Sequence, residues 1–358
     1  MTCISDEFQL SYISSTADDD IKRLKQGQDD REHREERQAI LKWLSSIDYG
    51  PQQRDFFNRR QQGTGEWLLN SNEFSSWVKQ SKQTLFCPGI PGAGKTIMSS
   101  IVVDYLEKQF GDNPVVGIAY IYCSYQPRQE QTPEDLISNL LKQFIETRTE
   151  MPNHITALYK DHHKNNKPKG SRPSLDEIIN AFQSTFQLYS RGFIIIDALD
   201  EYHSSNNKGL QTLLSAVFSL ARQADVNFFA TSRPVSEITS RFQDDCLTKE
   251  IRACDDDILC YVNGRMHELL RSEALEHPDL EVTIRKEILN AADGMYVHAC
   301  PNILQNWVDV LFQVSTCPAT YGFPYDPAIA GTPQVGFEAS TPGCGRVRQN
   351  LRPGNGKN

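Results

Sequence analysis

Gly89-Ile90-Pro91-Gly92-Ala93-Gly94-Lys95-Thr96 follows the apolar run Thr84-Leu85-Phe86-Cys87 and precedes an amphipathic run from Ile97 to Phe110. The stretch has the spacing G-x-x-x-x-G-K-[ST], and its strand–loop–helix surroundings are those a phosphate-binding loop requires. Its glycines let successive backbone N–H groups turn inward around phosphate oxygens. The helix that follows points its positive end at the same place. Lys95 is a mobile charge for β- and γ-phosphates, and Thr96 offers a hydroxyl to Mg²⁺. All eight residues from Gly89 to Thr96 are therefore expected to hold a nucleoside triphosphate.

A second stretch completes the pattern: Arg191-Gly192-Phe193-Ile194-Ile195-Ile196-Asp197-Ala198-Leu199-Asp200-Glu201. An apolar strand ending in an acid is the other signature of a phosphate-loop ATPase. Asp197 would emerge at the carboxyl edge of the sheet, where open α/β sheets bind ligands. There it can hold Mg²⁺ through water or bond to Thr96. Thr96 and Asp197 are thus the expected metal residues, gripping the ligand where two neighbouring strands end. Asp200 and Glu201 lie just beyond, and either could polarise an attacking water. A third stretch, Phe228-Phe229-Ala230-Thr231-Ser232-Arg233-Pro234, ends another strand. Arg233 can pair bidentately with phosphate oxygens and is the candidate for the γ-phosphate, while Pro234 is expected to open a helix.

The rest of the chain alternates strand-like and helix-like segments. Val115–Cys123, Phe193–Ile196, Val226–Ala230 and the shorter Leu247–Ile251 read as strands. Helices are expected from Thr132-Pro133-Glu134-Asp135, from the capping box Ser174–Glu177, and over Leu210–Leu220, Ile258–Leu270 and Val282–Ala292, with Gly294 past the last one. This order predicts an α/β protein: a three-layer sandwich around a parallel sheet, then a helical segment and an irregular tail. Residues 1–24 read as polar and irregular. Residues 25–39, dense in both charges, read as a solvated helix or disorder. Residues 160–173 read as a basic surface loop carrying a solvated His162-His163 pair, and His298 and Cys300 as incidental. The boundaries expected are a polar, partly helical or disordered segment over 1–37, a nucleotide domain over 38–253, a helical extension over 254–297 and a largely disordered tail over 298–358.

Among 358 residues, 39% are hydrophobic and 23% charged, enough for a folded core of one large domain or two smaller ones. A net charge of −9 argues against a general nucleic-acid binder. Nine cysteines without a C-x-x-C pair point to a reduced, cytoplasmic setting rather than a disulfide framework or a zinc site. No run approaches the ~18 apolar residues of a membrane span, and no secretory leader is seen at Met1.

The three stretches, in this order, resemble the NACHT class of STAND nucleotide-binding proteins, and more closely the nephrocystin-type N-terminal ATPase domain of fungal NLR-like proteins. The Asp-Ala-Leu-Asp-Glu ending at residues 197–201 and the Thr-Ser-Arg-Pro segment at 231–234 carry the resemblance. So does Asp55-Phe56-Phe57-Asn58-Arg59-Arg60-Gln61-Gln62-Gly63-Thr64-Gly65-Glu66-Trp67-Leu68-Leu69, which in that family lies near the nucleotide. The likeness covers about residues 38–297. It implies ATP rather than GTP, Mg²⁺, slow hydrolysis, and a switch that signals through self-association or other signalling proteins. The net charge and the lack of a long apolar run separately lead to an expectation of no nucleic-acid partner and no membrane. Ala198 stands where many fast ATPases carry a glutamate. After Val297 the family pattern stops, which reads as a divergent, truncated or mis-spliced end. Two other functions fit the same residues: a non-catalytic nucleotide-binding interaction domain, and a small-molecule phosphotransferase using the 160–173 segment as a lid.

Overall fold

Strand β3 (Arg191–Asp197) shows how the layers form. Phe193 and Ile195 point to one face of the sheet, Ile194 and Ile196 to the other, and all four are fully buried. A strand with no polar alternation must be covered on both sides. Here Ile194 and Ile196 join one apolar core, and Phe193 and Ile195 join a second. The computed structural model describes residues 3–124, 132–164, 171–202, 208–242 and 246–269. The helix expected at 282–292, Gly294, His298, Cys300 and the tail lie outside them.

Five strands are described: β1 (Thr84–Pro88), β2 (Val116–Tyr122), β3, β4 (Val226–Ser232) and β5 (Cys246–Thr248). They pair in parallel in the order β2-β3-β4-β1-β5. One face carries α6 (Pro133–Glu146), α8 (Leu175–Phe186) and α9 (Gly209–Gln223), whose Leu140, Phe144, Phe182 and Val217 are fully buried. The other carries α4 (Asn72–Lys79) and α5 (Lys95–Phe110), through Phe74, Trp77, Val102 and Leu106. The expected three-layer α/β sandwich is therefore present. The capping boxes at Thr132–Asp135 and Ser174–Glu177 both form. No helix among the described residues is long and apolar enough to cross a membrane.

The order corrects one expectation. The strand of the phosphate loop and the strand of Asp197 are not neighbours, because β4 lies between them and pairs with both. Thr231 therefore sits at the end of the strand between them.

Other differences lie at the periphery. Helix α1 runs Cys3–Leu44, where residues 1–24 read as irregular. Its exposed stretch is laced by local pairs such as Gln26 to Asp30 and Gln28 to Glu32, four residues apart. Its end docks on the sandwich through Ile40 and Leu44, both 1% exposed. There Arg37 donates to the carbonyls of Ile145, Glu146 and Arg148 at 3.2, 3.2 and 2.8 Å, capping the end of α6. Short helices α2 (Gly50–Asn58) and α3 (Glu66–Leu69) precede α4. Helix α7 (Asn153–Lys164) takes in the first five positions, 160–164, of the expected basic loop. His162 is not a solvated loop residue: it lies in the last turn of α7 and is 2% exposed. After β4 the chain enters α10 (Ser236–Thr239), so Pro234 precedes the helix rather than opening it. Helix α11 (Asp255–Leu269) is the last one described.

Candidate nucleotide site

β1 delivers the loop to the carboxyl edge of the sheet. Gly89 donates its N–H to Ser232 O at 3.0 Å. A side chain there would bring its Cβ within 2.6 Å of Ile251 O, so the first position of the loop has no room for one. Gly92 and Gly94 have φ of 76° and 85°, the left-handed region open to glycine. Between them Ala93 is fully buried and pins the loop to the core of α5. Lys95 and Thr96 open that helix. The Lys95 ammonium bends back across the loop, 3.0 Å from the carbonyl oxygens of both Gly89 and Ile90.

Thr96 donates to Asp197 Oδ2 at 2.7 Å, so the residues expected to hold metal do meet. Asp197 is 1% exposed, and two further hydroxyls donate to its Oδ1: Ser99 at 2.6 Å and Thr231 at 2.7 Å. Neither was singled out from sequence. Ser99 was within reach of such a reading, because it lies three residues after Thr96 and shares its helix face. Thr231 depends on the strand order, which the sequence does not state. Its hydroxyl also accepts the Ala198 N–H at 2.9 Å. Ala198 has φ 54°, a left-handed conformation costing about 1–2 kcal/mol without glycine. The Thr231 bond holds this turn, which swings the chain into a 3-10 turn over Leu199–Glu201.

That turn brings Asp200 to Arg233. Asp200 Oδ1 accepts the Arg233 backbone N–H at 2.7 Å, and Oδ2 accepts its Nε–H at 2.5 Å. The Asp200 side chain is 4% exposed and that of Arg233 is 50% exposed. Burial raises the Asp200 carboxyl, but its bonds to the Arg233 backbone and side chain outweigh this and hold it below the usual range. Arg233 is raised by the same bond. Glu201, on the same turn, is exposed.

The two central charges are both strained by burial. Burial lowers Lys95 below its ordinary range, against the pull of Asp200 and Asp197. It raises Asp197 above its own, against the donors Ser99, Thr231 and Thr96. A buried ammonium and a buried carboxylate each gain from an added opposite charge. Phosphate oxygens supply that charge for the first and a divalent cation for the second, so the residues present fit magnesium triphosphate. By contrast, burial raises the thiols of Cys87 and Cys123, which pack as small apolar groups.

The segment ahead of β1 packs against this machinery. A Cβ on Gly65 would lie 2.6 Å from Ile101 Cδ1 of α5. Asp257, 5% exposed in the first turn of α11, accepts Gly65 N–H at 3.1 Å and Trp67 Nε1–H at 3.0 Å. The turn at 63–65 is thereby fastened between the helix leaving the loop and the helix that follows the sheet.

Sheet order, loop and buried carboxylate together define a nucleotide-binding P-loop NTPase fold. Residues 63–233, a little under half of the chain, match the family model described as nephrocystin 3, N-terminal, so this stretch is similar to a nephrocystin-type N-terminal NTPase-like domain. No curated protein sequence matches the chain. Similar solved structures include the Walker-type ATPase PABY2304 of Pyrococcus abyssi, 14% identical over 72% of this chain and 73% of that one, with a TM-score of 0.44. PCH-2 of C. elegans is 13% identical over 74% of this chain and 67% of that one, at 0.34. The Orc1 protein of Aeropyrum pernix, in complex with DNA, is 15% identical over 75% of this chain and 62% of that one, at 0.38. Likeness at this level adds nothing to what the sheet and the loop show directly.

Proposed function

We propose that the chain is an ATP-binding signalling switch of the NACHT class, with slow Mg²⁺-assisted hydrolysis, acting in the cytoplasm through self-association or other signalling proteins. The observation that carries this reading is the meeting of Thr96, Asp197 and Thr231 beside the loop that Lys95 spans. Bound magnesium triphosphate supplies the transferable phosphoryl group, and the rest is the chain's work. Lys95 exchanges the carbonyls of Gly89 and Ile90 for phosphate oxygens, joining the loop N–H groups from Gly89 to Thr96. Thr96 and Asp197 hold the metal, directly or through water.

The switch lies in Arg233. Its Nε–H is committed to Asp200, and γ-phosphate oxygens would compete for the same guanidinium. A ligand shifts a two-state equilibrium only through contacts it makes in one state. The exchange of Asp200 for phosphate is such a contact, and it would move the turn at Leu199–Glu201. With Ala198 after Asp197, only Asp200 and Glu201 remain to polarise water. Asp200 is paired with Arg233 until phosphate displaces it, and Glu201 is exposed, so turnover is slow.

The test is assembly state against nucleotide. ATP with Mg²⁺ should raise the mass seen by light scattering and ADP should not, and Arg233→Ala should uncouple mass from nucleotide while retaining binding. Equal masses with ATP, ADP and no nucleotide would remove the switch. The commitment of Asp200 to Arg233 also favours a second reading, a non-catalytic nucleotide-binding interaction domain. That reading predicts ATP recovered intact after a single-turnover incubation with Mg²⁺.

A further inference from the structure

Outside the phosphate site, the joint between α7 and α8 gathers three metal-ligating side chains. One ligand atom from each of Asp161, His162 and Glu177 lies within 4.8 Å of the others. His162 Nδ1 is 2.9 Å from Ser171 Oγ, and its Nε2 is 3.3 Å from Glu177 Oε1. The second oxygen of Glu177 accepts the Ser174 N–H at 2.8 Å and its hydroxyl at 2.9 Å, which fixes that carboxylate. Trp43 closes the site. Its ring lies 5.5 Å from that of His162, and its Nε1–H is 3.1 Å from Ser171 O.

Three features suit a cation here. One ring nitrogen meets a hydroxyl while the other faces the Glu177 carboxylate, the arrangement by which an outer oxygen orients a metal-binding imidazole. The 3.3 Å between Nε2 and Oε1 is long for a charge-assisted bond, ordinarily about 2.7–2.9 Å. It is close to the roughly 3.3–3.4 Å between two ligands on one tetrahedral ion with bonds of ~2.0–2.1 Å. With neutral imidazole the ligand set carries the charge that one divalent cation balances, and imidazole favours zinc, cobalt or nickel over magnesium.

We propose that Asp161, His162 and Glu177 are the protein ligands of a zinc-class divalent cation that clips the end of α7 to the start of α8, leaving a fourth position for water. The proposal does not rest on the nucleotide reading.

The test is zinc binding by the full chain, stripped with chelator and held in excess Mg²⁺ to fill the phosphate site. Wild type should take up one zinc equivalent more than Asp161→Asn or His162→Gln. Its Co²⁺ spectrum for that equivalent should lack sulfur-to-cobalt charge transfer, which separates it from binding at cysteines. Ser171→Ala should weaken binding about 10–100-fold. Zinc should alter tryptophan emission in wild type but much less in Trp43→Phe. If His162→Gln does not fold, Asp161→Asn, at a half-buried position, carries the comparison. Equal zinc uptake by wild type and the folded variants would overturn the proposal and leave His162 as a hydrogen-bonding partner of Ser171 and Glu177.

Discussion

Thr231→Val isolates the hydroxyl that ties the end of β4 to the end of β3. Valine has nearly the same shape, so the fully buried site keeps its packing and loses only hydrogen bonds. The bond to the Asp197 carboxylate is lost, worth about 1.5–3 kcal/mol. The Ala198 N–H, on a residue 3% exposed, is orphaned at a cost of about 1–3 kcal/mol. Ser99 still donates to the same carboxylate oxygen at 2.6 Å, which favours the lower half of the sum. The expected loss is about 3 kcal/mol, or a midpoint lower by roughly 6–12 °C. Thr231→Ser keeps the hydroxyl and should lose only about 1 kcal/mol for its missing methyl.

Urea denaturation followed by tryptophan emission reads both variants. The pH dependence adds a sign. Asp197 is a carboxyl raised on folding, so its ionisation costs stability as pH rises from its unfolded value of about 3.9 through its folded one. Removing a donor raises it further, so the valine deficit should be smallest in acid and grow as pH rises. A valine variant within about 0.5 kcal/mol of wild type, or a serine variant as weak as the valine, would refute the reasoning.

Further consequences are open to direct measurement. A double-mutant cycle on Asp200→Asn and Arg233→Ala should give a coupling of about 1 kcal/mol, modest because Arg233 is half exposed. Asp200 is lowered on folding, so denaturation at several pH values should show that coupling intact above about pH 4 and lost as pH falls through its folded value. Gly89→Ala drives a Cβ toward Ile251 O and should cost about 1–3 kcal/mol by thermal melting, together with nucleotide affinity. Gln143→Leu removes the amide that bonds Tyr120 N–H at 3.0 Å and Tyr120 O at 2.8 Å on the edge strand β2. Light scattering on heating should show earlier aggregation, since that edge is then unpaired.

Much of the fold was legible because its signals are local. A phosphate loop fixes strand, turn and helix within thirty residues or fewer, and a capping box marks a helix start within four. Thr132–Asp135 and Ser174–Glu177 needed no tertiary knowledge. What was not legible depends on distant partners. Helix α7, Asn153-His-Ile-Thr-Ala-Leu-Tyr-Lys-Asp-His-His-Lys164, ends in the charged residues that made its surroundings read as a loop. It is held by packing against α1 and α8, with Ile155 fully buried. His162 looked solvated because Ser171, Glu177 and Trp43 meet it only in three dimensions. Helices α2 and α3 are too short, at 9 and 4 residues, to show periodicity. At the site, the loop, Asp197 and Arg233 were each identifiable, but the pairing of Arg233 with Asp200 and the place of Thr231 followed from the strand order.

The central claim is that the loop and the buried carboxylate hold a magnesium triphosphate between Lys95 and Asp197. Calorimetric titration of ATP into the chain, with and without Mg²⁺, tests it most directly, with wild type, Lys95→Ala and Asp197→Asn compared. The account predicts saturable binding by wild type, its loss in Lys95→Ala, and retained binding without the Mg²⁺ enhancement in Asp197→Asn. Its pH dependence should follow Lys95, with affinity falling as pH rises through a value below the usual 10.5. Binding of unchanged affinity in a folded Lys95→Ala, or no binding by wild type in Mg²⁺, would contradict it.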